Sequence, residues 1–77
     1  VKIGDRVKAV VLDVKDLDDA IKKGYTGTIM NDYFANDGSA LDVFEVKFDK
    51  EIISRNLNED GTYDMWRYQL KLLEDDL

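Results

Sequence analysis

The run Leu41 to Phe48 constrains the fold more than any other stretch of the chain. Phe44, Val46 and Phe48 alternate with Val43, Glu45 and Lys47, and a strict period of two puts the first set on one face of a strand and the second on the other. No helical pattern longer than about two turns occurs anywhere, short of the roughly 11 residues of a typical helix. Strands must supply the core.

Four further strands are expected. Arg6 to Leu12 places Val7, Ala9 and Val11 on one face and Arg6 and Lys8 on the other, while Val10 and Leu12 call for a cover over the strand's far end. Thr26 to Phe34 is the second strand, with Ile29 and Tyr33 facing in and Thr28 and Met30 facing out. After the Leu41–Phe48 strand, Thr62 to Trp66 forms a fourth, and a one-turn connector, Arg67 to Leu70, leads into a fifth at Lys71 to Leu73. Ala35-Asn36-Asp37-Gly38-Ser39 is a turn. Ile52-Ile53 either extends the sheet or plugs one end, and the polar stretch Ser54 to Gly61 is expected as the mobile loop. Asp13 to Lys23 carries seven charges. Leu17, Ala20 and Ile21 fit one helical turn started by Asp16, or a loop whose apolar residues fold back over Val10 and Leu12. Gly24 then stops it, and Gly24 with Gly27 reads as the turn that sets the second strand's register. Five short strands in 77 residues describe one domain, an all-β, small five-stranded barrel with a long charged loop between strands 1 and 2; a four-stranded sheet carrying one helix is the competing architecture.

Composition narrows function by exclusion. The chain has no cysteine and no histidine, so a disulfide framework, a thiolate site, a Ser-His-Asp triad and a typical zinc site are all ruled out by inventory. Seventeen acids against eleven bases give a net charge of −6, which disfavours binding to phosphate backbones. No apolar run approaches the roughly 18 residues needed to cross a bilayer, and Val1-Lys2-Ile3-Gly4 lacks the apolar region of a signal peptide. A soluble cytoplasmic monomer with no cofactor and no membrane partner is expected.

Gly4-Asp5-Arg6-Val7 and then Gly24-Tyr25-Thr26-Gly27-Thr28-Ile29 resemble the opening of the SH3-like barrels, as found in KOW modules, mind-bomb-type repeats and the nitrile hydratase beta-subunit barrel. Val43 to Asp49 and Tyr68 to Glu74 resemble the third and closing strands of the same architecture. The likeness covers nearly the whole chain but rests on turn glycines and core positions, so it implies a fold more than a function. The basic character and short loop of a KOW module are missing, as are the Ala-Leu-Tyr-Asp-Tyr stretch and Trp pair of a peptide-binding SH3 domain. A compact acidic barrel of this length is also similar to small products of bacterial and prophage genomes.

The candidate sites are few. Asn56-x-Asn58-x-Asp60-Gly61 with Asp64 has the oxygen spacing of a calcium loop, but Arg67 stands where the bidentate Glu belongs and no helix flanks it, so a solvated hairpin loop is the favoured reading. Asp16, Asp18 and Asp19 suit recognition of a basic partner or simply a solvated face. Tyr25, Tyr33, Phe34, Tyr63, Trp66 and Tyr68 are more aromatic surface than so small a core can hide. Tyr25, Tyr33, Trp66 and Tyr68 are the residues expected to contact a partner, with Asp16, Asp18 and Asp19 at the edge. The function read from this is a small non-enzymatic protein-interaction module. Two alternatives stand beside it: a KOW-like nucleic-acid or ribosome-associated domain using Lys2, Arg6, Lys8, Lys22, Lys23 and Lys47, and an acidic inhibitor that imitates nucleic acid.

Overall fold

The structure, a computed structural model, describes residues 2–12, 20–34 and 36–73. Strands β1 (Arg6–Ala9), β2 (Thr26–Phe34), β3 (Ala40–Phe48), β4 (Tyr63–Trp66) and β5 (Leu70–Leu72) form one antiparallel sheet in the order β4-β3-β2-β1-β5. A 3-10 turn, Arg67–Gln69, joins β4 to β5. The chain is all-β with the expected five strands; β4 and β5 are the two edges, so strand pairing does not close the sheet. Asp16, Asp18, Asp19 and Leu17 of the helical turn expected there lie outside the described residues, and the turn's other two apolar residues, Ala20 and Ile21, are not helical. No helix among the described residues is long and apolar enough to cross a membrane.

Each strand exists because its alternation has a face to bury. Val7 and Ala9 of β1, Ile29 of β2, Phe44, Val46 and Phe48 of β3, Tyr63 and Met65 of β4 and Leu70 of β5 meet in one cluster. Ile21 and Ile52, from the connecting segments, complete it, and Leu12 and Ala20 pack against it. Ile53, in contrast, projects into solvent. The β2–β3 hairpin turns at Gly38, whose φ is 87°. There the Ser39 hydroxyl and amide donate to Asp37 Oδ1 at 2.6 and 3.0 Å, and the hydroxyl bond holds the Asp37 carboxyl below the usual carboxylate range.

Three expectations fail. Strand β1 ends at Ala9, and Val11 is exposed; at that end Gly24 N–H bonds to the Ala9 carbonyl and Val10 N–H to the Gln69 carbonyl, both at 2.8 Å. Tyr33 does not share the face of Ile29. A register shift between Ile29 and Asn31 inserts a residue into the alternation and carries Tyr33 to the outer face, the usual effect of a β-bulge. Gly27 is not part of the turn: Gly24 makes it, with φ 93°, while Gly27 lies inside β2 opposite Val7 and Phe48.

Candidate functional site

The outer face of β4 carries Asp64 and Trp66, since Tyr63 and Met65 point inward. Trp66 is opposite Val43 in the β3–β4 register, and Asp64 is opposite Glu45. Beyond Trp66 the 3-10 turn swings Tyr68 outward while Gln69, 2% exposed, turns in. The Gln69 side-chain oxygen then accepts the Trp66 N–H at 2.9 Å, and Leu70 N–H returns to the Arg67 carbonyl. Buried and bonded in this way, Gln69 ties the turn that carries Tyr68 back to the backbone of Trp66. The result is a groove of about 470 Å³ lined by Asp42, Trp66, Arg67, Tyr68 and Leu70. Trp66 and Tyr68 are 51% and 54% exposed, and Leu70, buried, belongs to the core beneath them.

Asp42 stands near the start of β3 with φ 48°, in the left-handed region that Asp tolerates better than most residues. Its carboxylate lies 3.9 Å from the Arg67 guanidinium, and both side chains are more than half exposed. Such a pair contributes at most about 1 kcal/mol and is easily exchanged.

Next to the groove, on the same outer face, three carboxylates share three donors. Glu45 and Asp64 face each other across the β3–β4 pair, a like-charge contact that opposes pairing. The Tyr33 hydroxyl lies 2.6 Å from Glu45 Oε1 and 3.2 Å from Asp64 Oδ1. It has one proton, and the shorter contact takes it. Asp64 is served instead by the Asn58 amide at 2.9 Å, and Asp60 by the Thr62 hydroxyl at 2.6 Å. The Tyr33 hydroxyl is pushed well above its ordinary range, chiefly by its bond to Glu45, and Asp60 is held below its range by Thr62.

Asn58, Asp60 and Asp64 are among the residues whose spacing resembles a calcium loop. Gly61 makes the sharp turn, with φ 84°, but the Asp60 and Asp64 oxygens accept hydrogen bonds. Among the described residues no group of three acidic side chains is arranged to hold a metal ion. The segment expected to be mobile is tied down at Asn58, whose N–H bonds to the Thr62 carbonyl at 2.8 Å, and at Gly61, whose N–H bonds to the Asn58 carbonyl at 2.9 Å.

Of the aromatic residues singled out from the sequence, Trp66 and Tyr68 come together in the groove, and Tyr33 shares the outer face with Trp66. Tyr25 lies elsewhere. It is half-buried, edge-on to Phe48 with ring centroids 6.5 Å apart, and Lys50 Nζ sits 5.1 Å from its ring centre. Asp42, Arg67 and the Gln69 brace were missed by sequence reasoning; the only available signal was their position flanking Trp66 and Tyr68 or two residues from an aromatic.

Arg6, one of the six cations named for a nucleic-acid face, is held by Asp49. Its guanidinium donates to both carboxylate oxygens, to Oδ1 at 2.8 Å, and to Thr28 Oγ1 at 2.8 Å, while the Thr26 hydroxyl donates to Asp49 Oδ2 at 2.6 Å. This clasp ties β1, β2 and the end of β3 together. The Arg6 bond, then the Thr26 bond, lowers the Asp49 pKa to about 2. A carboxyl more acidic in the folded chain than its unfolded value of about 3.9 stabilises the fold above that value and loses the contribution as pH falls through the folded one. The stability difference between the parent and Asp49→Asn should therefore be constant from neutral pH to about pH 5 and shrink steadily towards pH 2. Urea unfolding at stepped pH measures it, and a difference that does not change with pH would show that the clasp is not electrostatic.

Comparison with family models, with curated proteins and with solved structures returned no match.

Proposed function

We propose that the chain is a small SH3-like barrel acting as a non-enzymatic protein-interaction module, with the Trp66–Tyr68 groove as its contact surface. The barrel reading is supported by the strand order β4-β3-β2-β1-β5, by the 3-10 turn between β4 and β5, and by a single cluster fed from one face of every strand. A single sheet that buries one face without a second layer has to curl over itself.

The observation that carries the functional reading is the exposure of Trp66 and Tyr68 on a buried brace. An aromatic side chain left half in water by a chain that buries Gln69 beneath it has the form of a preorganised contact, and Trp and Tyr are the residues that most often dominate binding energy. Trp66→Ala and Tyr68→Ala should each weaken capture of the partner by at least about tenfold and leave the melting temperature nearly unchanged. Ile53→Ala, at an isolated exposed apolar residue, should change neither. Equal capture by all four proteins would refute the reading.

A further inference from the structure

Resting on that reading, we propose that the groove receives a cationic side chain, an arginine or lysine on an extended segment of a partner protein, and that Arg67 holds its place before the partner arrives. Charge complementarity carries the inference. Asp42 lines the groove on one side of Trp66, and Asp64 lies two residues from Trp66 on the same face, with Glu45 opposite it. Among the described residues that line the groove, Arg67 is the one cation.

Its contact with Asp42, at 3.9 Å and largely in solvent, is of the weak kind that an incoming guanidinium replaces at little cost. That guanidinium gains the face of Trp66, the best aromatic partner for a cation, and meets a carboxylate field already in place. A second copy of the chain is the wrong occupant, because each copy carries a net charge of −6 and would bring like charge to the same face. Asp42 supplies recognition and Trp66 supplies area, so the occupant needs both a positive charge and a flat or extended body.

Trp66 is the only tryptophan in the chain, so its fluorescence reports the groove directly. The probes are a short peptide alternating arginine with serine and its counterpart with citrulline, which keeps the shape and removes the charge. The arginine peptide should shift Trp66 emission and bind roughly tenfold more tightly than the citrulline peptide, with the advantage falling as salt is added. Asp42→Asn, which tolerates the same backbone angle, should erase the preference. Arg67→Gln should strengthen arginine-peptide binding several-fold by removing the placeholder.

Equal binding of both peptides, lost in Trp66→Ala, would overturn the cationic occupant and leave the groove as a contact surface. Weaker binding in Arg67→Gln would overturn it as well, by making Arg67 a contact and its partner acidic. If neither peptide binds the parent chain, the cationic occupant is wrong, and the capture experiment with Trp66→Ala alone decides the groove.

Discussion

Gly27→Ala should lower the melting temperature by about 10–20 °C, a loss of about 2–3 kcal/mol at roughly 4–8 °C per kcal/mol for a chain of this size. Gly27 lies where β1, β2 and β3 run side by side, opposite Val7 on one side and Phe48 on the other. A Cβ there would stand 2.6 Å from the Lys47 carbonyl oxygen, 2.8 Å from Val46 Cγ1 and 3.0 Å from Phe48 Cα. Two of the three atoms are backbone and cannot turn away, so β3 has to shift, and Val46 and Phe48 are core residues. Gly24→Ala is the control. Gly24 has φ 93° and open space around it, so alanine there meets only the conformational penalty, of about 1–2 kcal/mol. Thermal melts of the two variants separate the roles of two glycines three apart. If Gly27→Ala melts with the parent chain, the close approach of β2 to β3 is wrong.

The pair of glycines also marks how far the sequence could be read. Their presence located the entry to β2, and the bounds expected for that strand, Thr26 to Phe34, are those observed; β3 differs by one residue. Period-two alternation and turn glycines are local, and local signals survive folding. What could not be read depends on which strand lies beside which. Gly27 is needed because of Lys47, twenty residues on, and nothing within its own stretch distinguishes it from the turn glycine Gly24. Tyr33 moved to the outer face because the shift between Ile29 and Asn31 adjusts β2 to β3, which the period of β2 alone cannot reveal. The Arg6–Asp49 clasp joins positions separated by 43 residues.

The candidate site follows the same division. Trp66 and Tyr68 were legible as a surplus of aromatic residues over core volume, and both are exposed. Asp16, Asp18 and Asp19, expected at the same edge, are not among the described residues, and Tyr25 packs on Phe48. The alternating oxygens from Asn56 to Asp64 were noticed for the right chemistry, since oxygen ligands and hydrogen-bond acceptors look alike in sequence. The arrangement differs because the Asn58 amide and the Thr62 hydroxyl donate to Asp64 and Asp60 where a cation would otherwise sit. Asp42 gave no signal beyond its place two residues from Phe44. Its value to the groove comes from a left-handed backbone angle in a β-strand, which follows from the irregular β2–β3 register around it.

Ile29→Ala should destabilise the fold by about 2–5 kcal/mol. A domain of 77 residues has a total stability of roughly 4–12 kcal/mol at 0.05–0.15 kcal/mol per residue, so this one change removes a large share of it. Ile29 is fully buried and lies opposite Val46, within a cluster that has no second layer among the described residues to close over a void. Its backbone is as central as its side chain: its N–H bonds to the Asp5 carbonyl at 2.9 Å, and its carbonyl accepts the Gly4 N–H at 2.8 Å. Alanine keeps those bonds and the strand, so the loss measures the cavity and the missing contacts. Ile29→Val, which trims one methylene, should cost about 0.5–1.5 kcal/mol, and Ile53→Ala, at a residue 85% exposed, should cost within about 0.5 kcal/mol. Urea midpoints at unchanged slope give the three values. A loss at Ile29 no larger than at Ile53 would mean that the sheet does not bury one face in a single core, and the proposed barrel would fall with it.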